Sequence, residues 1–170
     1  IYTLWTEAER NAIGIYVIEI DDTNKKDTEW YINTNITYAF DGTNATGSYG
    51  TATARSHADT LYTAQDETDG LGTEGDVRVE GLKTILIRTL KHNVANELAN
   101  TDWYITRNAE KSTAIPSAIT THRDLVRSRQ ATMETQITNA SNTPALETLY
   151  TYTTDSDGVQ SRPLGIIPTL

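Results

Sequence analysis

Between Val77 and Ala140 apolar residues return every three or four positions, and this stretch limits the possible folds more than any other. Val79, Leu82, Leu86, Leu90, Val94 and Leu98 fall on one face of a 3.6-residue period. Ile115, Ile119, His122, Val126, Met133 and Ile137 do the same on the far side of Asn100-Thr101-Asp102-Trp103-Tyr104. Two helices joined by a turn at those five residues are expected, because each stripe alone would lie bare in water and each is the other's nearest cover. Asp102 would turn or cap the chain there, with Trp103 and Tyr104 tucked under the hairpin end. Pro116 suits the first turn of the second helix, where its missing N–H costs nothing. Asn142-Thr143-Pro144 then starts one more short helix, over Ala145 to Tyr150.

The residues ahead of the hairpin follow a different period. Thr6 with Glu9 is a capping-box pattern, so a short helix is expected from Glu7 to Ala12, ended by Gly14. Ile15 to Ile20 is a β-rich run, followed by the polar loop Asp21 to Asp27 and by extended structure at Trp30-Tyr31-Ile32. Ile36 to Phe40 alternates and meets Asp41-Gly42, a hairpin signal, with Ala45 to Tyr49 as the return strand. Gly47 and Gly50 weaken that strand. A small antiparallel sheet is the expected result. Ser56 to Gln65 reads as a short helix running into the acidic, glycine-rich segment Asp66 to Asp76.

The expected class is therefore α+β: a mixed unit over 1–65, a linker over 66–76, a helical hairpin with a short third helix over 77–150, and an extended tail over 151–170. Hydrophobic residues make up 37% of the 170, too few for one thick core, so thin layers or an interface supplied by another chain are expected. With no cysteine, neither a disulfide framework nor a thiolate metal site can form. No stretch approaches the roughly 18 apolar residues of a membrane helix. No signal-peptide pattern is visible, and with Ile1 in place of a methionine any leader lies outside these residues.

The chemistry-bearing residues do not gather into a motif. A formal charge of −9 argues against a phosphate-binding face, and Arg123, Arg127 and Arg129 read as a solvated helical face. His57, His92 and His122 lie in three different elements, and His122, on the apolar stripe, reads as a core or interface histidine with a satisfied ring. The Asp66–Asp76 segment lacks the ligand alternation and closing glutamate of a calcium loop. Nucleophile elbows, phosphate loops and His-Glu-x-x-His are missing from the sequence. No catalytic, metal-binding or cofactor-binding residue is expected, and the aromatics Trp5, Trp30 and Trp103 read as packing groups before they read as a glycan surface.

Two segments resemble a known group. Leu4-Trp5-Thr6-Glu7-Ala8-Glu9-Arg10, continuing to Gly14-Ile15-Tyr16, resembles the opening of small tail proteins of tailed bacteriophages. Glu97-Leu98-Ala99-Asn100-Thr101-Asp102-Trp103 with His122-Arg123-Asp124-Leu125-Val126-Arg127 is similar to phage tail assembly chaperone and tail-fibre-associated modules, although His122 replaces the tyrosine usual there. The resemblance implies a non-enzymatic virion structural protein of the tail, baseplate or fibre attachment, made in the host bacterial cytoplasm and held in a particle by other phage structural proteins as a homo- or hetero-oligomer. An assembly chaperone and a receptor- or glycan-binding module are the alternatives. Nucleic acid and membrane are not expected partners. The tail carries Val159, Leu164, Ile166, Ile167 and Leu170 without a period of its own. Leu164, Ile166, Ile167 and Leu170, with Trp103 at the hairpin end, are expected to contact a partner, a neighbouring subunit being favoured over the chain's own hairpin.

Overall fold

The structure, a computed structural model, describes residues 4–170. Ile1 and the two residues after it, the start of the expected 1–65 unit, lie outside the described residues. The fold is α+β, and the chain divides into two compact units, Ile1–Arg55 and Ser56–Leu170.

The first unit opens with α1, Glu7–Asn11. The Thr6 hydroxyl accepts from the Glu9 N–H and the Glu9 carboxylate accepts from the Thr6 N–H at 2.7 Å, so the capping box forms as its residues dictate. Gly14, at φ +80°, takes the left-handed conformation that follows the helix. Five strands come next: β1 (Ile18–Asp21), β2 (Tyr31–Ile32), β3 (Ile36–Phe40), β4 (Ala45–Tyr49) and β5 (Thr53–Ala54). The Asp41-Gly42 turn joins β3 to β4 in antiparallel register, and the Asp41 carboxylate accepts the N–H groups of Thr43 and Asn44, both at 2.8 Å. β1 lies on the other side of β4 and runs parallel to it, giving the order β1-β4-β3. The sheet is thus mixed, not antiparallel as expected. The connection from Asp21 to Ala45 is long enough to bring the chain back in the same direction, which a tight turn cannot do. β2 and β5 form a separate antiparallel pair.

The second unit begins with β6 (Thr60–Leu61), α2 (Ala64–Thr68) and β7 (Val77–Val79), the two strands pairing around the helix. A helix over 56–65 was the expectation, and it does not form. The carbonyls of Ser56 and His57 instead accept from Leu82 N and Lys83 N, at 2.9 and 3.1 Å. They satisfy two of the N–H groups that a helix start leaves without partners. Segment 66–76, read as a linker, holds part of α2 and the approach to β7, so it lies inside this unit together with 77–150 and 151–170.

α3 (Leu82–Ala99) and α5 (Ser117–Asn139) pack together, burying Leu82, Leu86, Leu90 and Val94 of one and Ile119, His122, Val126, Met133 and Ile137 of the other. Val79, placed on the first stripe by period, belongs to β7 and is exposed. The expected single turn between the helices is a helix in its own right, α4 (Asp102–Lys111), closed by Ser112 in the left-handed conformation. Pro116 precedes α5 as its cap residue. α6 (Thr143–Tyr150) begins at the expected Asn142 signal, two residues ahead of the expected Ala145, with the Asn142 side chain accepting from Ala145 N at 2.9 Å.

Residues 151–170 are not a free tail. β8 (Thr153–Thr154) and β9 (Gln160–Ser161) form a hairpin turned at Gly158, φ +80°. Leu164 then enters the core, 1% exposed, and its N–H donates to Leu149 O at 3.0 Å.

Candidate functional site

Cross-strand partners project to the same side of a sheet, so the register of β1, β4 and β3 decides what each face carries. Ile18 pairs with Ala45 and Ile20 with Gly47, while Ile36, Tyr38 and Phe40 pair with Tyr49, Gly47 and Ala45. All eight of these residues therefore share one face. Glu19, Asp21, Thr37, Ala39, Thr46 and Ser48 share the other. One face of the sheet is wholly apolar but for the tyrosine hydroxyls, and the other is polar or small.

The apolar face is organised around a glycine. A Cβ on Gly47 would lie 2.8 Å from Ile20 Cδ1, 2.9 Å from Ile36 Cγ2 and 3.1 Å from the Tyr38 ring. The large side chains of the flanking strands lean over the small central row and close it from above. Tyr16 adds one more row, its ring 4.5 Å from that of Phe40 between centroids. Among the described residues of the first unit, none covers this layer. Ile18, Ile20, Tyr38 and Phe40 remain between 46% and 65% exposed. Among the described residues of this unit, Trp30 and Gly47 alone are buried. The side chains of the layer form a contiguous, uncharged apolar surface, the kind of surface at which protein contacts are made.

The sequence-predicted partner residues are placed differently from one another. Ile166 and Leu170 are exposed, at 64% and 71%, and Ile167 is half-buried. Leu164 fills its own core, which removes it from any partner surface. Trp103 is 51% exposed and not tucked under the hairpin end. With α4 inserted after Thr101, Trp103 points outward and stacks under the Arg107 guanidinium, 4.6 Å from the ring centroid.

The arginines of α5 are also corrected. Arg123 is buried, and its Nη1 is shared among Leu98 O (2.8 Å), the Thr101 hydroxyl (2.6 Å) and Asp102 Oδ1 (2.9 Å). It ties the C-terminal end of α3 to the start of α4, joining the Thr101 N–H and hydroxyl as donors to the Leu98 carbonyl at the helix end. Arg129 donates to Leu164 O at 2.8 Å and Ile166 O at 3.3 Å. Arg127 alone of the three is surface-paired, with Asp124 at 3.6 Å. His122 is the satisfied core histidine expected, its Nε2 2.9 Å from Glu97 Oε1.

Several surface carboxylates are held below their usual range by hydrogen bonds. For Asp59 the donors are Gly81 N–H (2.6 Å) and the Thr84 hydroxyl (2.8 Å), and for Asp66 they are the Thr63 N–H and hydroxyl, with Arg78 nearby. These bonds brace turns and helix starts. Among the described residues no group of three His, Cys, Asp or Glu is arranged to hold a metal, and no helix is long and apolar enough to cross a membrane. The chain matches no family model, and no curated protein or solved structure is similar to it by sequence or fold.

Proposed function

We propose that this chain is a structural protein of a bacteriophage particle, in the tail, baseplate or fibre-attachment region, and that it works through protein–protein contacts without catalysing a reaction. The observation that carries the reading is the uncovered apolar face of β1-β4-β3. Burying apolar surface gains roughly 25 cal/mol per Å², and the described residues of the first unit supply no second layer with which to do so. A neighbouring protein would complete it, as one sheet face or helix stripe completes another inside a domain. The likeness of Leu4 to Tyr16 and of the Glu97–Trp103 and His122–Arg127 segments to phage tail proteins supports looking for that neighbour among virion components.

Quantitative mass spectrometry of purified particles tests this. Stoichiometric recovery of the chain is the expected result. Its presence in infected cells together with its absence from finished particles would overturn the structural role and leave an assembly chaperone.

A further inference from the structure

The apolar face of β1-β4-β3 meets a polar recess at one end, and the charge of that recess distinguishes the possible partners. Glu7 and Asn11 of α1, Tyr16, Glu19 of β1, and Asn44 and Ala45 at the approach to β4 are among its lining residues, around a volume of about 120 Å³. Ala45 belongs to the apolar layer by register, and the Tyr16 ring packs against Phe40 of that layer. Glu19 belongs to the polar side of the sheet, so the recess wraps the end of the sheet and shares Tyr16 and Ala45 with the apolar layer. A protein laid on that layer has the recess at its margin.

The recess is acidic and holds no cation of its own. Glu7 and Glu19 are its carboxylates, and no basic residue lines it. Asp41 stands in the adjoining turn, where the N–H groups of Asn44 and Thr43 lower its pKa and keep it charged. Among the described residues none of these three carboxylates takes part in an ion pair. The imbalance runs through the whole unit. Residues 1–55 carry eight Asp and Glu against four Lys and Arg, which leaves −4. Two of the four cations are engaged internally, Lys25 with Asp22 at 3.6 Å and Arg55 with Thr28 O at 3.0 Å.

These charges separate three occupants. A second copy would bring the same excess of carboxylates against this one, and like charges repel. A metal ion finds no group of three His, Cys, Asp or Glu arranged to hold it among the described residues. A Lys or Arg side chain suits both surfaces at once. Its methylenes can lie on the apolar layer while its head stays among polar groups. The faces of Tyr and Phe rings attract a cation, and carboxylates form the stronger, charge-assisted hydrogen bonds with its N–H groups. We propose that the protein covering the apolar face is basic at its edge and seats a Lys or Arg side chain in the recess lined by Glu7 and Glu19. The proposal rests on the reading of this face as a protein contact and names the chemistry of the neighbour: apolar across the sheet, cationic at the Tyr16 end.

NMR titration of the full isotope-labelled chain at low salt tests it. The probes are phenethylammonium and phenethylguanidinium, each with a ring for the apolar layer and a cation for the recess. Both should shift the amide signals of Tyr16, Glu19, Phe40 and Asn44 in a saturable way. Phenylpropionate, with the same ring and the opposite charge, should bind about tenfold more weakly or not at all. Glu7→Gln/Glu19→Gln replaces two exposed carboxylates by amides of the same size. It should leave the melting temperature unchanged and bring both cationic probes down to the affinity of neutral phenylpropanol. Equal binding of the cationic and anionic probes to the wild type overturns the proposal without recourse to a variant. So does the absence of saturable shifts at these amides, or cation binding that the double variant keeps. A stronger response of the same amides to calcium chloride than to either organic cation also overturns it, since the recess would then be a metal site. The titration needs no particle. Its failure with the chain present in virions removes the basic neighbour alone, and its success with the chain absent from virions removes the virion reading alone.

Discussion

The two units use similar apolar residues and bury them to different extents. In the second, Leu86, Val94, Val126 and Ile137 are no more than 8% exposed, while in the first Ile18, Ile20, Tyr38 and Phe40 keep about half of their surface in water. The difference is one of geometry, not of hydrophobicity. α3 and α5 each carry a stripe of comparable length, and the connection between them lets one stripe lie on the other. A three-stranded sheet presents a whole face, which needs a second layer. Among its described residues the first unit offers the five residues of α1 and isolated short strands. A helical hairpin can close its own core, whereas this small sheet leaves its apolar face exposed.

The largest expected effect falls on the closed core. Leu86→Asp would set a charge against the α5 stripe, and it should cost more than about 4 kcal/mol in denaturant unfolding of the second unit. A cost below about 1 kcal/mol would mean that the α3 and α5 stripes do not meet in solution. Trp30→Ala probes the other side of the comparison. Trp30 is 4% exposed in a unit that buries almost nothing else, so its loss should remove about 3–5 kcal/mol. Amide exchange should show protection lost in 18–54 and retained in α3 and α5; loss in both units together would erase the distinction between them.

A smaller effect is expected where backbone meets backbone. A Cβ on Gly81 would lie 2.3 Å from the Ala58 carbonyl carbon, at the point where segment 56–59 caps α3. Gly81→Ala should therefore destabilise the second unit by about 1–3 kcal/mol, seen as a lower urea midpoint, and a neutral result would dissociate that segment from the helix start. The smallest effect is acid sensitivity at the same junction. Asp59 has a lower pKa in the folded chain than the usual aspartate because Gly81 N–H and the Thr84 hydroxyl bind its charged form. Its contribution is complete above the ordinary value of about 3.9 and is lost as pH falls through the lower folded value. Melting of the wild type and Asp59→Asn from pH 6 to pH 2.5 should differ most at the upper end and converge in acid. A constant gap would show that the carboxylate charge has no part in the cap.

Much of the local structure was legible because its causes are local. The Thr6–Glu9 box, the Asp41-Gly42 turn that sets the register of its two strands, and the Asn142 cap all depend on bonds between near neighbours in sequence. The buried faces of α3 and α5 follow from a 3.6-residue period that needs no knowledge of the partner. His122 could be read as a core residue for the same reason. The helix expected over 56–65 failed because the Ser56 and His57 carbonyls bind α3 from some 25 residues away. Nothing within the segment announces that competition.

What the sequence by itself determined is which residues are apolar on which face: the two helical stripes, the alternation of β1 and β3, and the uncharged end of the chain. Tertiary structure decided which of those faces are covered. It set β1 parallel to β4, so that Ile18 and Ile20 joined Tyr38 and Phe40 on one bare surface. It turned Arg123 inward, where three acceptors from the α3–α4 junction converge on one guanidinium nitrogen. It took Leu164 into the core while leaving Ile166 and Leu170 outside. The physical reason is the same in each case: period and composition act along the chain, but coverage depends on groups that only folding brings near.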